Sequence, residues 1–232
     1  MSSLKNVKVA LPTYSEVVPS SKETIKIHPF KVGDEKVLLM ASESKDQRQM
    51  ASSLKQVIKN CSEGFDVDQM TSFDMEYLFL RIRAISVGEV ADIGLKCSSC
   101  ETVNEINVDL QSVKIKEFEG HKTSIKVSDD LAFKMKYPSI EDIASSEGGV
   151  QGLLNLIVMS VETVFFGDEV IEVTPAEHDD LRGIIESLTT TQFNSIQQFF
   201  ETSPKLIHDL DFNCGSCGAE NKQKLEGLAA FF

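Results

Sequence analysis

Leu95-Lys96-Cys97-Ser98-Ser99-Cys100-Glu101-Thr102-Val103-Asn104 and Phe212-Asn213-Cys214-Gly215-Ser216-Cys217-Gly218-Ala219-Glu220-Asn221 are written in nearly the same local pattern. Each places a C-x-x-C turn after an apolar stretch, with an asparagine four positions beyond the second cysteine and a strand-like run following. With 113 residues between Cys100 and Cys214, the two turns tie the middle of the chain to its far end. Zinc takes thiolates at about 2.3 Å in a tetrahedron, and a C-x-x-C turn lets two sulfurs converge on one ion. Cys97, Cys100, Cys214 and Cys217 together make a full ligand set for one structural Zn²⁺, with no position left open for catalysis. Three other fates compete. A redox dithiol belongs at a strand-to-helix junction, whereas these turns lie between strand-like runs. Buried inert thiols do not need the Gly, Ser, Asn and Glu that surround them. Small disulfides suit an oxidising compartment.

The 232 residues suffice for a sizeable core, and 41% of them are apolar. Five cysteines, an odd number with two C-x-x-C pairs, fit a reducing cytoplasm better than a disulfide framework. Met1-Ser2-Ser3-Leu4-Lys5-Asn6 has no apolar run of a secretory signal. The densest apolar stretch, Leu153 to Phe166, is interrupted by Asn155, Ser160, Glu162 and Thr163, so no membrane span is expected. A net charge of −13 repels phosphate backbones and anionic lipid, which argues against nucleic-acid and membrane partners.

Residues 1–22 are expected to form an arm, because Pro12 and Pro19-Ser20-Ser21-Lys22 break any regular pattern. Thr24 to Pro29 and Glu35 to Met40 flank Val32-Gly33-Asp34 and suggest a β-hairpin. Ser44-x-x-Gln47 suggests a capping box for a helix running to Asn60. Thr71-x-x-Asp74 opens a clearer helix, with Met75, Leu78, Phe79, Ile82 and Ile85 on one inward face and Arg81 and Arg83 elsewhere. The period then changes to two. Ile93 and Leu95 lead into the first knuckle, and Ile106, Val108 and Leu110 lead away from it. Thr123 to Val127 and Ala132 to Tyr137 read as a hairpin turned by Asp129-Asp130. Pro138-Ser139-x-x-Asp142 starts a short helix, and a buried helix is expected from Gln151 to Phe165. Gly167-Asp168-Glu169 turns into a strand from Val170 to Val173. Thr174-Pro175-Ala176-Glu177 and Thr189-x-x-Gln192 open two further helices. Leu206, His208, Leu210 and Phe212 alternate into the second knuckle. The expected fold class is α+β: a helical core, antiparallel β-hairpins and a zinc-ribbon-like module formed by the two distant C-x-x-C knuckles. One domain is expected over residues 23–232, with a discontinuous module over about 91–137 and 205–232.

No other cluster carries chemistry. His28, His121, His178 and His208 are scattered without metal-ligand spacing, and His178-Asp179-Asp180 suits the first turn of a capped helix. G-x-S-x-G, the phosphate-loop motif and G-x-G-x-x-G are all missing from the sequence, and Gly148-Gly149 reads as an interhelical turn. Cys61 reads as a buried apolar thiol. A non-enzymatic protein is expected. The closing run Leu225-Glu226-Gly227-Leu228-Ala229-Ala230-Phe231-Phe232 offers Leu228, Phe231 and Phe232 either as core or as an apolar plug for a partner.

The chain resembles the T4-type phage baseplate family, which includes a baseplate hub assembly protein of T4-like myoviruses. The resemblance rests on Phe73-Asp74-Met75-Glu76-Tyr77-Leu78-Phe79-Leu80-Arg81-Ile82-Arg83-Ala84 and Ser86-x-Gly88-Glu89. It continues through Phe199-Phe200, Ser203-Pro204, Leu210-x-Phe212-x-Cys214, Cys217-Gly218-x-Glu220-Asn221, Leu225-Glu226-Gly227-Leu228 and Phe231-Phe232, covering residues 45 to 232. It implies a part in building the hub of a contractile-tail baseplate, as assembly chaperone or subunit, with hub proteins as partners. The setting implied is the cytoplasm of an infected bacterium or the virion baseplate. It implies no catalytic residues. A zinc-ribbon protein binding nucleic acid or serving transcription is the competing expectation, motivated by the knuckles alone.

Overall fold

The computed structural model describes residues 9–146 and 148–231, a mixture of helices and antiparallel sheets. Its organising element is the helix Ser72–Val87, here α3 once α1 (Val32–Ser44) and α2 (Gln47–Cys61) are counted. Thr71 caps it as the sequence predicts: the Asp74 backbone N–H donates to Thr71 Oγ1 at 3.2 Å, and the Thr71 hydroxyl donates to Asp74 Oδ2 at 2.6 Å. One face, with Met75, Leu78, Phe79 and Ile82, packs on α2 and a small sheet made of β1 (Tyr14–Val17), β2 (Thr24–Ile27) and β3 (Ser62–Glu63). The other face, with Leu80 and Ala84, is buried against a second core. A helix buried on two sides need not be amphipathic. Arg81 is therefore not a solvent-facing residue. It is only 14% exposed, donates to the Leu110 carbonyl at 3.2 Å, and lies 3.8 Å from Glu16 and over the Tyr77 ring.

The second core is a β module. β4 (Val90–Lys96) pairs with β5 (Val103–Asp109), and β11 (Lys205–Asn213) pairs with both β12 (Glu220–Glu226) and β6 (Lys114–Lys116). Alternate residues Ala91, Ile93, Leu95, Val108, Leu206 and Leu225 face inward. The third core joins α5 (Gly149–Ser160), α6 (His178–Glu186) and α7 (Thr190–Thr202) to a four-stranded sheet. That sheet runs in the order β10-β9-β8-β7, from Glu169–Glu172, Val161–Phe166, Leu131–Met135 and Ser124–Lys126. The short α4 (Ile140–Ser145), capped by Ser139 as expected, lies against α2, α3 and α5.

Several expectations are corrected. Val32–Ser44 is a helix, not the return strand of a hairpin. The Lys31 N–H donates to Asp34 Oδ2 at 2.9 Å and Asn60 donates to Asp34 Oδ1 at 2.7 Å, which fixes a helix start that periodicity does not show. β2 instead takes β1 as its partner, so Tyr14–Val17, expected within an irregular arm, is a strand. Residues 1–8 of that arm lie outside the described residues. α2 is capped by Asp46, which accepts from Arg48 and Gln49, and not by Ser44. The buried helix stops at Ser160. Val161–Phe166 is rich in β-branched and aromatic residues, and forms a hairpin with Glu169–Glu172 across Gly167-Asp168. Finally, Ser124–Lys126 and Leu131–Met135, expected at the far end of the β module, belong to the third core because they pair with Val161–Phe166.

The arm is fastened to α3 by a carboxylate with no solvent exposure. Asp74 accepts from the Ser20 N–H at 2.8 Å and the Ser20 hydroxyl at 2.5 Å in addition to Thr71. Asp74→Ala should lower unfolding free energy by about 2 kcal/mol or more in urea titration, since several charge-assisted hydrogen bonds end on this one group. A second expectation concerns His121, whose ring stacks on Tyr137 and tilts over Phe199 at centroid distances of 5.6 and 5.3 Å. Burial lowers its pKa from 6.5, so the unfolded chain takes up a proton first on acidification. The stability conferred by neutral His121 is complete above 6.5 and lost as pH falls below it; His121→Phe should be less destabilised than the parent over that window.

Candidate metal centre

Each C-x-x-C knuckle is the tip of a hairpin: residues 97–102 join β4 to β5, and residues 214–219 join β11 to β12. The two tips fold alike. The Cys97 N–H donates to the Thr102 carbonyl and the Cys214 N–H to the Ala219 carbonyl, both at 2.9 Å. The Glu101 N–H returns to the Cys97 carbonyl at 3.0 Å, and the Gly218 N–H to the Cys214 carbonyl at 2.9 Å. The turn needs a left-handed residue at that point, with φ of 58° at Glu101 and 74° at Gly218. Glycine meets that need without steric cost, and glutamate does not.

The tips meet. All four sulfurs lie within 4.8 Å of one another, with Cys97 Sγ 3.7 Å from Cys217 Sγ and Cys100 Sγ 3.6 Å from Cys214 Sγ. A disulfide would require about 2.05 Å. A tetrahedron with metal–sulfur bonds of about 2.3 Å has edges near 3.8 Å, so the spacing fits one thiophilic ion. Cys97 and Cys214 are buried, while Cys100 and Cys217 are exposed.

Around the sulfurs runs a reciprocal set of hydrogen bonds. Asn221, beside the second knuckle, reaches to the first: its Oδ1 accepts from the Ser98 N–H at 2.8 Å, and its Nδ2 donates to Cys97 Sγ at 3.5 Å. Asn104, beside the first knuckle, reaches to the second: its Oδ1 accepts from the Gly215 N–H at 2.9 Å, and its Nδ2 lies 3.7 Å from Cys214 Sγ. The Ser99 and Ser216 N–H groups point at Cys97 and Cys214, each at 3.4 Å. These donors favour thiolate. The N–H groups of Ser99 and Cys100 lower Cys97 to about 6, and those of Cys217 and Ser216 lower Cys214. Cys217 moves the other way: the Ala219 N–H favours its thiolate, but the Cys100 sulfur, desolvation and the sulfurs of Cys214 and Cys97 push it up to about 12. Four thiols this close cannot all ionise without a cation among them. Donor chemistry and geometry therefore fit a soft divalent ion held by all four.

Asn104 and Asn221 are the residues whose role the sequence reading misses. Their matched position after each knuckle was the available signal, but crossing to the opposite turn requires the folded arrangement. The other candidates stay apart. His178 opens α6, and His208 lies half-buried on β11 opposite Leu225. Cys61 is fully buried, and that burial pushes its thiol up to about 12, which makes it inert. Phe231 is 1% exposed within the β-module core, so of the two expected placements its ring takes the core one. Leu228 is half-buried between the first and second cores, and Phe232 lies outside the described residues. Among the described residues, no helix is long and apolar enough to cross a membrane.

Fold and site together define an α+β protein whose most organised chemical feature is a four-thiol cluster joining two hairpins. The chain belongs to the family described as T4 bacteriophage base plate protein, whose model matches residues 11–232. It is thus a phage baseplate protein with a structural role among other baseplate proteins. No curated relative and no solved structure matches the chain.

Asn221 is 3% exposed and Asn104 half-buried, so removing the former leaves more unmet polar groups in place. Asn221→Ala should cost about 1–3 kcal/mol in denaturant unfolding, and Asn104→Ala less than that. A negligible cost at both positions would mean that the crossed asparagines do not brace the knuckles.

Proposed function

We propose that this protein is a non-enzymatic assembly factor or subunit for the hub of a contractile-tail phage baseplate. One structural Zn²⁺ would be held by Cys97, Cys100, Cys214 and Cys217. The observation that carries the metal part is the convergence of four sulfurs within 4.8 Å from two hairpins far apart in sequence. A bound Zn²⁺ supplies no reaction here. It ties two hairpin tips together, and its binding free energy becomes folding free energy. Cys97 and Cys214, buried and braced by N–H donors, would be the first thiolates formed, with Cys100 and Cys217 completing the set. A tetrahedral four-sulfur set also suits iron, so elemental analysis must choose between the two. The module itself, two hairpins meeting knuckle to knuckle, supports a zinc-ribbon-like description.

The hub assignment draws on the family membership and on a site built for bracing instead of turnover. Its partners would be hub proteins, met in the cytoplasm of the infected cell or on the virion baseplate. We propose residues 23–232 as one folding unit, because α3 contributes to two cores and the cysteines join segments remote in sequence. A net charge of −13 disfavours the nucleic-acid reading.

Native mass spectrometry of protein co-expressed with neighbouring tail proteins should find one zinc per chain and a complex with a hub component. Chelation, or Cys97→Ser or Cys214→Ser, should lower the melting temperature by many degrees and loosen the β module before the rest. A metal-free protein with unchanged melting after chelation would contradict the metal assignment. Failure to co-purify with any hub protein would contradict the partner assignment.

A further inference from the structure

Between α3, α4, α5, α7 and the ends of β11 and β12, the structure leaves a cavity of about 330 Å³. Its walls are mostly apolar and aromatic: Phe73 from α3, Tyr137, Ile140 from α4, Leu156 from α5 and Phe200 from α7. Clefts of this size, lined by apolar groups with a few placed polar ones, are typical of binding sites. Its charged groups are Glu76 of α3, and Lys205 and Glu226, which pair with each other at 3.0 Å.

Glu76 is half-buried, and its Oε1 accepts a hydrogen bond from the Leu228 N–H at 3.3 Å. That contact depends on Gly227, whose φ of 75° turns the chain out of β12; a Cβ there would stand 3.4 Å from the same oxygen. A carboxylate has room for further donors beyond this one. Among the described residues Glu76 makes no ion pair. Lys205, the cation of the cavity lining, is held by Glu226 at 3.0 Å, and Glu226 also binds Lys224 at 3.2 Å. Glu226 lines the same cavity, with its charge shared between these two lysines. Burial raises the Glu76 carboxyl above its ordinary value; the Leu228 N–H partly offsets this, and Glu226 adds to the rise. A glutamine would serve the turn as well, so bracing Leu228 alone does not account for a charge in this position.

We infer that this cavity receives an arginine side chain from a partner protein. A guanidinium presents flat faces that stack on aromatic rings and a donor fork that fits a carboxylate, matching walls of Phe73, Tyr137 and Phe200 around Glu76. The stem of the side chain covers apolar wall while the head reaches the carboxylate. No cysteine lines the cavity, so this site is separate from the metal centre and its test is independent of metal binding.

The test uses the full-length protein followed by NMR, titrated with n-butylguanidinium and with its neutral counterpart n-butylurea. The guanidinium should give saturable shifts centred on Phe73, Tyr137, Ile140 and Phe200, binding about tenfold more tightly than the urea. Glu76→Gln keeps an acceptor for Leu228 and should abolish that preference. Absence of saturable shifts at these residues would overturn the inference, as would equal affinity for the two probes. A Glu76→Gln protein that keeps the guanidinium preference would do the same. The two probes are compared in the unaltered protein, so the test does not depend on the variant folding.

Discussion

Four sulfurs brought within 4.8 Å of one another form the contact on which the β half of this molecule depends. The hairpins carrying them share few direct contacts near their tips beyond the crossed asparagines and the Gln223 side chain, which donates to the Lys96 carbonyl at 2.5 Å. In the unfolded chain Cys100 and Cys214 are 114 positions apart, so closing that loop costs considerable entropy. The shared core offsets part of this cost, and the proposed metal ion, bound by each sulfur, would add to it at the point of closure. The backbone N–H groups aimed at Cys97 and Cys214 prepare two sulfurs as thiolates in advance.

The second constraint is α3. Its Met75–Ile82 face belongs to the first core and its Leu80–Ala84 face to the second, so one helix is shared between the knuckle-bearing module and the packing of α2. Arg81 reinforces the connection by reaching both Leu110 and Glu16. Such sharing of one helix suits a structural role in a baseplate. The cavity beside Glu76 is walled by α3, α4, α5 and α7 with the ends of β11 and β12, and a partner side chain entering there would touch several elements at once.

Much of this was legible in the sequence where the interactions are short in range. Thr71 with Asp74, Ser139 with Asp142, Thr174 with Glu177 and Thr189 with Gln192 each cap a helix or turn as predicted, because cap and partner lie three residues apart. The knuckles were legible for the same reason, and the matched flanks pointed to their meeting. What failed was decided at long range. Val37-Leu38-Leu39-Met40 reads equally as strand or helix, and Asn60 holding Asp34 is a contact 26 positions away. Val161–Phe166 continues a helix in apolar content, yet becomes a strand because Leu131–Met135 and Glu169–Glu172 stand ready to pair with it. Phe231 gave no sign of whether it faced inward, since that depends on the module core being formed.

The proposed metal centre rests on the cysteines acting together as ligands to one zinc ion. X-ray absorption at the zinc edge of the purified protein tests this most directly. It should show four sulfur neighbours at about 2.3 Å and no lighter ligand. A first shell containing nitrogen or oxygen, fewer than four sulfurs, or no zinc at all would contradict it.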